Sequence, residues 1–485
     1  MIKVKLAAVE CFERDVKLRL PFRFGVITVT QVTQAVIRAT IELEGGRRSV
    51  GVAAENLAAK WFDKNPVFSD AQNLEQLRQS LALAIAGYRA KGWSTPFALY
   101  SGCYGAQIAM GGALGLVPLV AAYGPALLDR AILDALGREL GLSFAAMIRR
   151  NLPGIAVTDL TPDLAGFDLA GFLGGLRPRR DIAVRHTVGL VDPIVASDQA
   201  ADERVDDGLP ETLEEIARRY RGRYYKLKVA GDVAADLERL RRIAVVLDRE
   251  IGDYHATLDG NEQYDDIEGI AELWQRMHQT PSLKRLVAST LFIEQPIKRA
   301  AALARPVQAL ARLKPLIIDE SDGELSSFPA AQRLGYTGVS SKNCKGLYKS
   351  ILNAARVAKL NTEASQPAYF MSAEDLTTLA GVSVQQDLAL VALLGLEHVE
   401  RNGHHFIDGM SFAAPREQAD FARAHPDLYE HKDGVARLAL KEGRLTLTSL
   451  DCSGFAVAAT MDFPAMRSMP PAPQSRITPA HPERA

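Results

Sequence analysis

Arg223-Tyr-Tyr-Lys-Leu-Lys-Val229, His255-Ala-Thr-Leu-Asp-Gly-Asn261, Leu291-Phe-Ile-Glu-Gln-Pro296, Pro315-Leu-Ile-Ile-Asp-Glu-Ser321 and Gly338-Val-Ser-Ser-Lys342 are short apolar runs that follow one another in a single stretch. Each carries a charged residue near its carboxyl end. Runs of β-branched and aromatic residues bounded by Gly or Pro read as buried strands. The charged stretches between them, Ala234 to Glu250, Ile267 to Met277 and Ala300 to Leu313, have helical character. Regular alternation of strand and helix implies parallel β/α units. In such folds chemistry gathers at the carboxyl ends of the strands, where Asp259, Glu294, Asp319 and Lys342 fall.

Working outward, Ile182 to Gly189 supplies an earlier strand and helix Glu211 to Tyr220 leads into the Lys226 strand. Tyr369 to Ser372 is a later strand that leads into helix Leu376 to Leu394, and Glu397 to Arg401 closes the set. The count reaches eight, which predicts a closed barrel over residues 182–414. Residues 1–151 read as an α+β capping domain. Its antiparallel strands are Val4 to Leu20, Val32 to Leu43 and Arg48 to Ala54, with Glu44-Gly-Gly46 as a hairpin turn. Helices are expected over Leu74 to Tyr88 and from Ala126 to a stop near Gly141. Pro162 to Arg180, rich in Gly, Pro and Asp, reads as a connection. Residues 415–468 return to antiparallel character, Val435 to Leu440 against Arg444 to Leu450, and pack back on the cap. The Pro-rich stretch 469–485 is expected to be disordered.

The bulk numbers exclude several classes. A formal charge of -1 over 485 residues gives nucleic acid or an anionic membrane no electrostatic hold. Cys11, Cys103, Cys344 and Cys452 are too widely spaced for a disulfide scaffold or a zinc ribbon, and fit a reduced, cytoplasmic setting. Gly92 to Leu128 contains no charged residue, but its many Gly and Pro make a poor membrane span; buried soluble helices are expected there.

Three carboxylates at consecutive strand ends would converge on one point at a barrel mouth. An all-oxygen set suits Mg²⁺, or Mn²⁺, better than zinc. Taken singly, each carboxylate reads better as a helix cap; three at consecutive strand ends favour the metal. Lys226 and Lys228, two apart on a strand, share a face, while Tyr225, Leu227 and Val229 share the other. Lysines inside a barrel need paired carboxylates, since an unpaired buried charge costs several kcal/mol. Lys342 would reach the same site from across the mouth. Trp61-Phe-Asp-Lys64 reads as a loop anchored by aromatics, and Pro21 to Thr28 as either a plain connection or a loop that closes over a ligand.

With these motifs in order, the chain resembles the enolase superfamily, in the muconate-lactonizing-like branch of its mandelate racemase/muconate lactonizing enzyme family. The carrying motifs are Lys226-x-Lys228, Leu258-Asp-Gly-Asn261, Phe292-Ile-Glu-Gln-Pro296, Ile318-Asp-Glu-Ser321 and Ser341-Lys342. The resemblance implies a modified TIM-type (β/α) barrel with an N-terminal α+β capping domain completed by C-terminal strands. It implies Asp259, Glu294 and Asp319 as ligands of Mg²⁺ and Lys228 and Lys342 as an acid/base pair, with Lys226 beside them. Phe22, Phe24, Trp61, Asn261 and Glu320 would contact substrate. The implied activity is abstraction of the α-proton of a small carboxylate to a metal-stabilised enediolate, with an isomerase or lyase outcome, in a homo-oligomer. A Schiff-base lysine aldolase on the same barrel and a catalytically silent metal-binding protein are the competing classes.

Two departures bear on substrate. The eighth-strand region Glu397-His-Val-Glu-Arg-Asn-Gly403 lacks the Asp-x-Asp pair of dipeptide epimerases. Phe370-Met-Ser-Ala-Glu-Asp375 lacks the seventh-strand His of mandelate-type racemases. His404-His405 reads as a surface loop rather than a ligand pair. Glu374 and Asp375 read either as caps of the Leu376 helix or as substrate contacts.

Overall fold

Eight parallel strands form the central sheet: β4 (Asp181–Val188), β5 (Tyr224–Lys228), β6 (His255–Asp259), β7 (Thr290–Glu294), β8 (Leu316–Ile318), β9 (Gly338–Ser341), β10 (Phe370–Ala373) and β11 (His398–Arg401). The computed structural model describes residues 1–24 and 27–478, without the side chains of 23–27. The strands hydrogen-bond in the order β10-β9-β8-β7-β6-β5-β4-β11. β10 and β11 lie side by side without a ladder between them, so the sheet curls into a barrel whose last seam is packed rather than paired.

Period-two alternation explains the layering. Tyr225, Leu227 and Val229 face outward into a core shared with Leu237, Leu240 and Leu247 of helix Val233–Glu250, while Lys226 and Lys228 face inward. Gly260, after β6, is required by close approach, since a Cβ there would stand 2.4 Å from the Cα of Pro296 after β7.

The cap is a sheet of β1 (Val4–Phe24), β2 (Ile27–Leu43) and β3 (Arg48–Asn56) in antiparallel register, with helices α1 (Ala59–Phe62), α2 (Asp70–Lys91), α3 (Pro96–Ala113) and α4 (Pro118–Leu140). α4 ends at Gly141 in the left-handed region, as expected. The stretch read as a loop between the first strands is instead the far end of a long hairpin, with Phe22 opposite Val29. Residues 25 and 26 lie outside the described residues.

Several further expectations are corrected. The charge-free stretch forms α3 and α4. α4 is buried, but α3 leaves Gly105, Ala106, Ala109 and Met110 exposed. No described helix is long and apolar enough to cross a membrane. The helix expected over Ala300 to Leu313 is two short turns, Arg299–Ala302 and Gln308–Ala311, because Pro306 cannot continue the first. The helix expected from Leu376 begins only at Val382, after Gly381 at φ 94°.

The carboxy-terminal hairpin also pairs differently. β13 (Val435–Leu438) turns back on β12 (Tyr429–Lys432) through Asp433-Gly434, both in the left-handed region, while β14 (Arg444–Thr446) runs antiparallel to β4 of the barrel. Beyond it the chain does reach the cap, where Phe455 stacks on Phe144 with ring centroids 3.8 Å apart and β15 (Arg467–Ser468) pairs with β1. Of the Pro-rich stretch, residues 469–478 lie along α2, whose Gln79 donates to the Pro473 and Ser475 carbonyls; residues 479–485 lie outside the described residues.

Candidate active site

A cavity of about 330 Å³ lies between the barrel mouth and the cap. Lys226, Lys228, Asp259, Asn261, Asp319, Lys342, Asp375, Glu400 and Asn402 form its floor. Leu18, Phe22, Val29, Val32, Leu57, Trp61 and Leu74 supply most of the apolar roof.

The ladder order sets the floor's geometry. β5 and β9 are separated by β6, β7 and β8, so Lys228 and Lys342 stand on opposite sides of an eight-stranded barrel with the three carboxylates between them. Lys228 Nζ donates to Asp259 Oδ2 at 2.9 Å, and Lys342 Nζ to Asp319 Oδ2 at 2.6 Å. Lys342 also lies 4.2 Å from the centroid of the Trp61 ring, a cation–π contact across the cap-barrel boundary.

Lys226 is held differently. Its ammonium lies 2.9–3.0 Å from carboxylate oxygens of Asp259, Glu294, Glu374 and Glu400. Burial opposes its charge, but these four carboxylates outweigh that and hold it well above the usual lysine range. Burial likewise opposes the charge of Lys342, and Asp319 overrides it, so this lysine too is raised. Burial alone would lower both lysines. The carboxylates at hand decide the sign instead.

The carboxylates respond in kind. Burial would raise Asp319, yet Lys342 and Lys345 bring it well below the ordinary range. Glu294 is pushed well above it by burial and by the like charges of Asp259 and Glu374. Glu320 is raised to about 7, by burial and by neighbouring Asp319.

The cap and the rim place the remaining expected residues. Phe22 and Trp61 line the cavity, as does Asn261, whose Nδ2 donates to Glu320 Oε1 at 3.0 Å. Glu320 stands behind Asn261, not among the lining residues. The side chain of Phe24 lies outside the described residues. His404 and His405 are not a surface loop: their rings pack against His186 behind the site, at 5.5 and 5.3 Å. Asp375 caps no helix; its Oδ1 accepts from Leu376 N and Thr378 N, and its Oδ2 from Asn402 N. Glu374 pairs with Lys226 and Arg185 inside the barrel.

No protein-family model and no curated protein matches the sequence. Solved structures do match the fold. The muconate lactonizing enzyme of Mycobacterium smegmatis, complexed with muconolactone, is similar over 95% of this chain and 98% of its own, at 18% identity and TM-score 0.58. A dipeptide epimerase from Cytophaga hutchinsonii, complexed with Mg and D-Ala-L-Val, is similar over 97% and 99%, at 16% identity and TM-score 0.57. An enolase from the alpha proteobacterium BAL199 with bound Mg is similar over 95% and 97%, at 15% identity and TM-score 0.58.

The chain has the enolase-superfamily fold. In that fold's frame the residues can be tested against a divalent cation. Asp259, Glu294 and Asp319 offer only oxygen donors, and Glu294 Oε2 is buried with no hydrogen-bond partner, an acceptor still lacking a cation or donor. As the side chains stand, no three His, Cys, Asp or Glu of the described residues converge tightly enough to hold a metal. Lys226 bridges Asp259 and Glu294 instead, while Lys342 and Lys345 both hold Asp319. By donor chemistry the set fits Mg²⁺.

Sequence reading missed Lys345, whose Nζ reaches Asp319 Oδ1 at 3.1 Å and Ser340 Oγ at 2.6 Å. It also missed Glu400, which ties Lys226 to Thr187 and Asn402. Both carry the signal used for the others: Glu400 sits at the end of the eighth strand, and Lys345 follows Lys342 by one turn.

Proposed function

We propose that the chain is an Mg²⁺-dependent isomerase that removes and returns the α-proton of a small carboxylate, with Lys228 and Lys342 acting on opposite faces of the reacting carbon. The observation that carries this reading is the placement of two buried lysines four strands apart, opening on one cavity with three oxygen-donor carboxylates on the strands between them. Asp259, Glu294 and Asp319 would hold Mg²⁺, which supplies positive charge against the negative charge that develops on the substrate carboxylate as the proton leaves. Manganese, the expected alternative, gains no support from neighbouring structures that carry magnesium.

The chain's own residues divide the remaining work. One of the two lysines, as the amine, takes the α-proton at Nζ from its own face, and the other, as the ammonium, gives one from Nζ to the opposite face. Lys226 has no free role as a base, because four carboxylates hold it charged; it is a fixed cation whose charge helps Asp259 and Glu400 stay ionised in a buried barrel. Leu18, Phe22, Leu57 and Trp61 exclude water from above and favour a substrate with an apolar body.

The test is α-hydrogen exchange in D₂O, followed by NMR, over a panel of carboxylates with apolar α-substituents and Mg²⁺. Exchange with loss of optical activity is the expected result. Mg²⁺ binding without exchange from any member, in either enantiomer, would move the chain to the class of silent metal-binding proteins.

A further inference from the structure

The cap reaches Lys342 through Trp61, and the backbone of Trp61 is held from the barrel side by the side chain of Arg299. Arg299 Nη2 donates to the Trp61 carbonyl at 2.9 Å and Nη1 to the Phe62 carbonyl at 2.8 Å, the last carbonyls of α1, which have no partner within the helix. The other edge of the guanidinium is locked by Glu262, with Nε to Oε1 at 2.7 Å and Nη2 to Oε2 at 2.8 Å, and the backbone N of Arg299 also donates to Oε1 at 2.8 Å. This is the planar two-bond fork that lysine cannot reproduce. Lys64, two residues past α1, adds an ion pair to Glu262 Oε2 at 2.6 Å and a bond to the Asn261 carbonyl at 3.2 Å.

The placement of these residues in the chain makes the arrangement more than a surface tie. Glu262 lies three residues after Asp259, at φ 68°, and Arg299 lies five after Glu294. The two loops that present two of the three carboxylates therefore also present the two halves of the fork. On the cap side, the Trp61 ring packs edge-on against Phe62 at 5.1 Å, and Phe62 edge-on against Tyr123 of α4 at 5.3 Å, so its position is set from both domains.

We propose that Arg299, locked by Glu262, is a positioning residue that sets the Trp61 face over the Lys342 ammonium and so keeps that lysine dry and aimed across the mouth. This rests on the reading of Lys342 as one of the two acid/base groups. Lys228, whose carboxylate partner is Asp259 and which no ring covers among the described aromatic contacts, is outside its influence.

The test reads Lys342 directly, in the full chain and without metal or substrate, by pulse acetylation with acetic anhydride and peptide mass spectrometry. R299M and E262Q, checked for folding by thermal melts, are expected to raise Lys342 acetylation at least fivefold, with the double variant no higher than either single one. R299K should fall between them and the parent, and W61L sets the upper limit. Lys226 and Lys228 should not change. Unchanged Lys342 labelling in either folded variant, or an equal rise at Lys228, overturns the proposal; if R299M fails to fold, E262Q and R299K decide. A negative result leaves the acid/base reading to the exchange experiment, and absent exchange leaves the labelling result standing. With a recognised substrate, R299K should lower kcat for exchange from the enantiomer served by Lys342 while KM stays unchanged, a split that a merely structural strut would not produce.

Discussion

The floor and the roof of the cavity are built on opposite principles. The floor buries charge at high density: Lys226, Lys228, Lys342 and Lys345 are all at most 6% exposed, and every one is held by carboxylates projecting from neighbouring barrel strands. The roof buries almost none; it consists of Leu18, Val29, Val32, Leu57 and Leu74 from the cap strands and helices, with the Lys60–Asp70 pair at its rim, 4.0 Å apart. Buried ions are tolerable only where their partners cannot drift away, and strand ends in a ladder satisfy that condition. Apolar side chains need no such precision, so the roof can set shape while the floor sets chemistry.

The largest expected effects come from the two flanking lysines. Lys342→Ala should abolish α-hydrogen exchange from one enantiomer while sparing some from the other, and Lys228→Ala should show the complementary preference. Loss of a positioned acid/base group costs about 10²- to 10⁴-fold, well within reach of NMR in D₂O. Full exchange from both enantiomers in either variant would show that the floor does not work from two faces.

Next in size is the carboxylate set. Asp319→Asn should weaken Mg²⁺ binding beyond the roughly 10- to 100-fold that loss of an outer partner costs, because it removes a ligand charge and leaves Lys342 and Lys345 competing for the other carboxylates. Calorimetric titration with unchanged affinity would contradict the assignment of this residue.

A smaller effect is expected from the roof. Leu57→Val removes one methylene from the cavity wall and should raise KM for an apolar substrate by about tenfold, leaving the enantiomer ratio of exchange as it was. A changed ratio with unchanged KM would reverse the roles given to roof and floor.

The smallest effect lies outside both regions and serves as their control. His425 is buried, with Nε2 accepting from Ala458 N at 3.1 Å, and burial lowers it to about 4. The folded chain therefore refuses a proton that the unfolded chain accepts below about 6.5, so this contribution is complete above that pH and is lost as pH falls toward 4. His425→Gln should flatten the fall in urea midpoint between pH 7 and pH 5 without altering exchange. An unchanged slope would mean that other groups, such as His186, also lowered to about 4, carry the dependence.

How much of this was legible in the chain follows from the range of the interactions involved. Period two placed Lys226 and Lys228 on one face and their apolar neighbours on the other, and the recurrence of charge at strand ends marked Asp259, Glu294, Asp319 and Lys342. Those are local rules, enforced by backbone geometry within a few residues. Local signals also misled: Thr377 and Gly381 take positive φ and delay to Val382 the helix expected from Leu376, and β14 left its hairpin partner for β4.

The amino-acid sequence by itself therefore determined the alternating strands and helices, the inward face of each strand and the chemical types available at the mouth. Which charge meets which was decided only by tertiary structure. Lys226 meets Glu400 across 174 residues and Arg299 meets Trp61 across 238, and the upward shift of Lys226 follows from the first kind of meeting. The reason is physical: desolvation and Coulomb energies are both large and opposed in a buried site, so their balance depends on distances of a few ångströms that only the closed barrel and its cap establish.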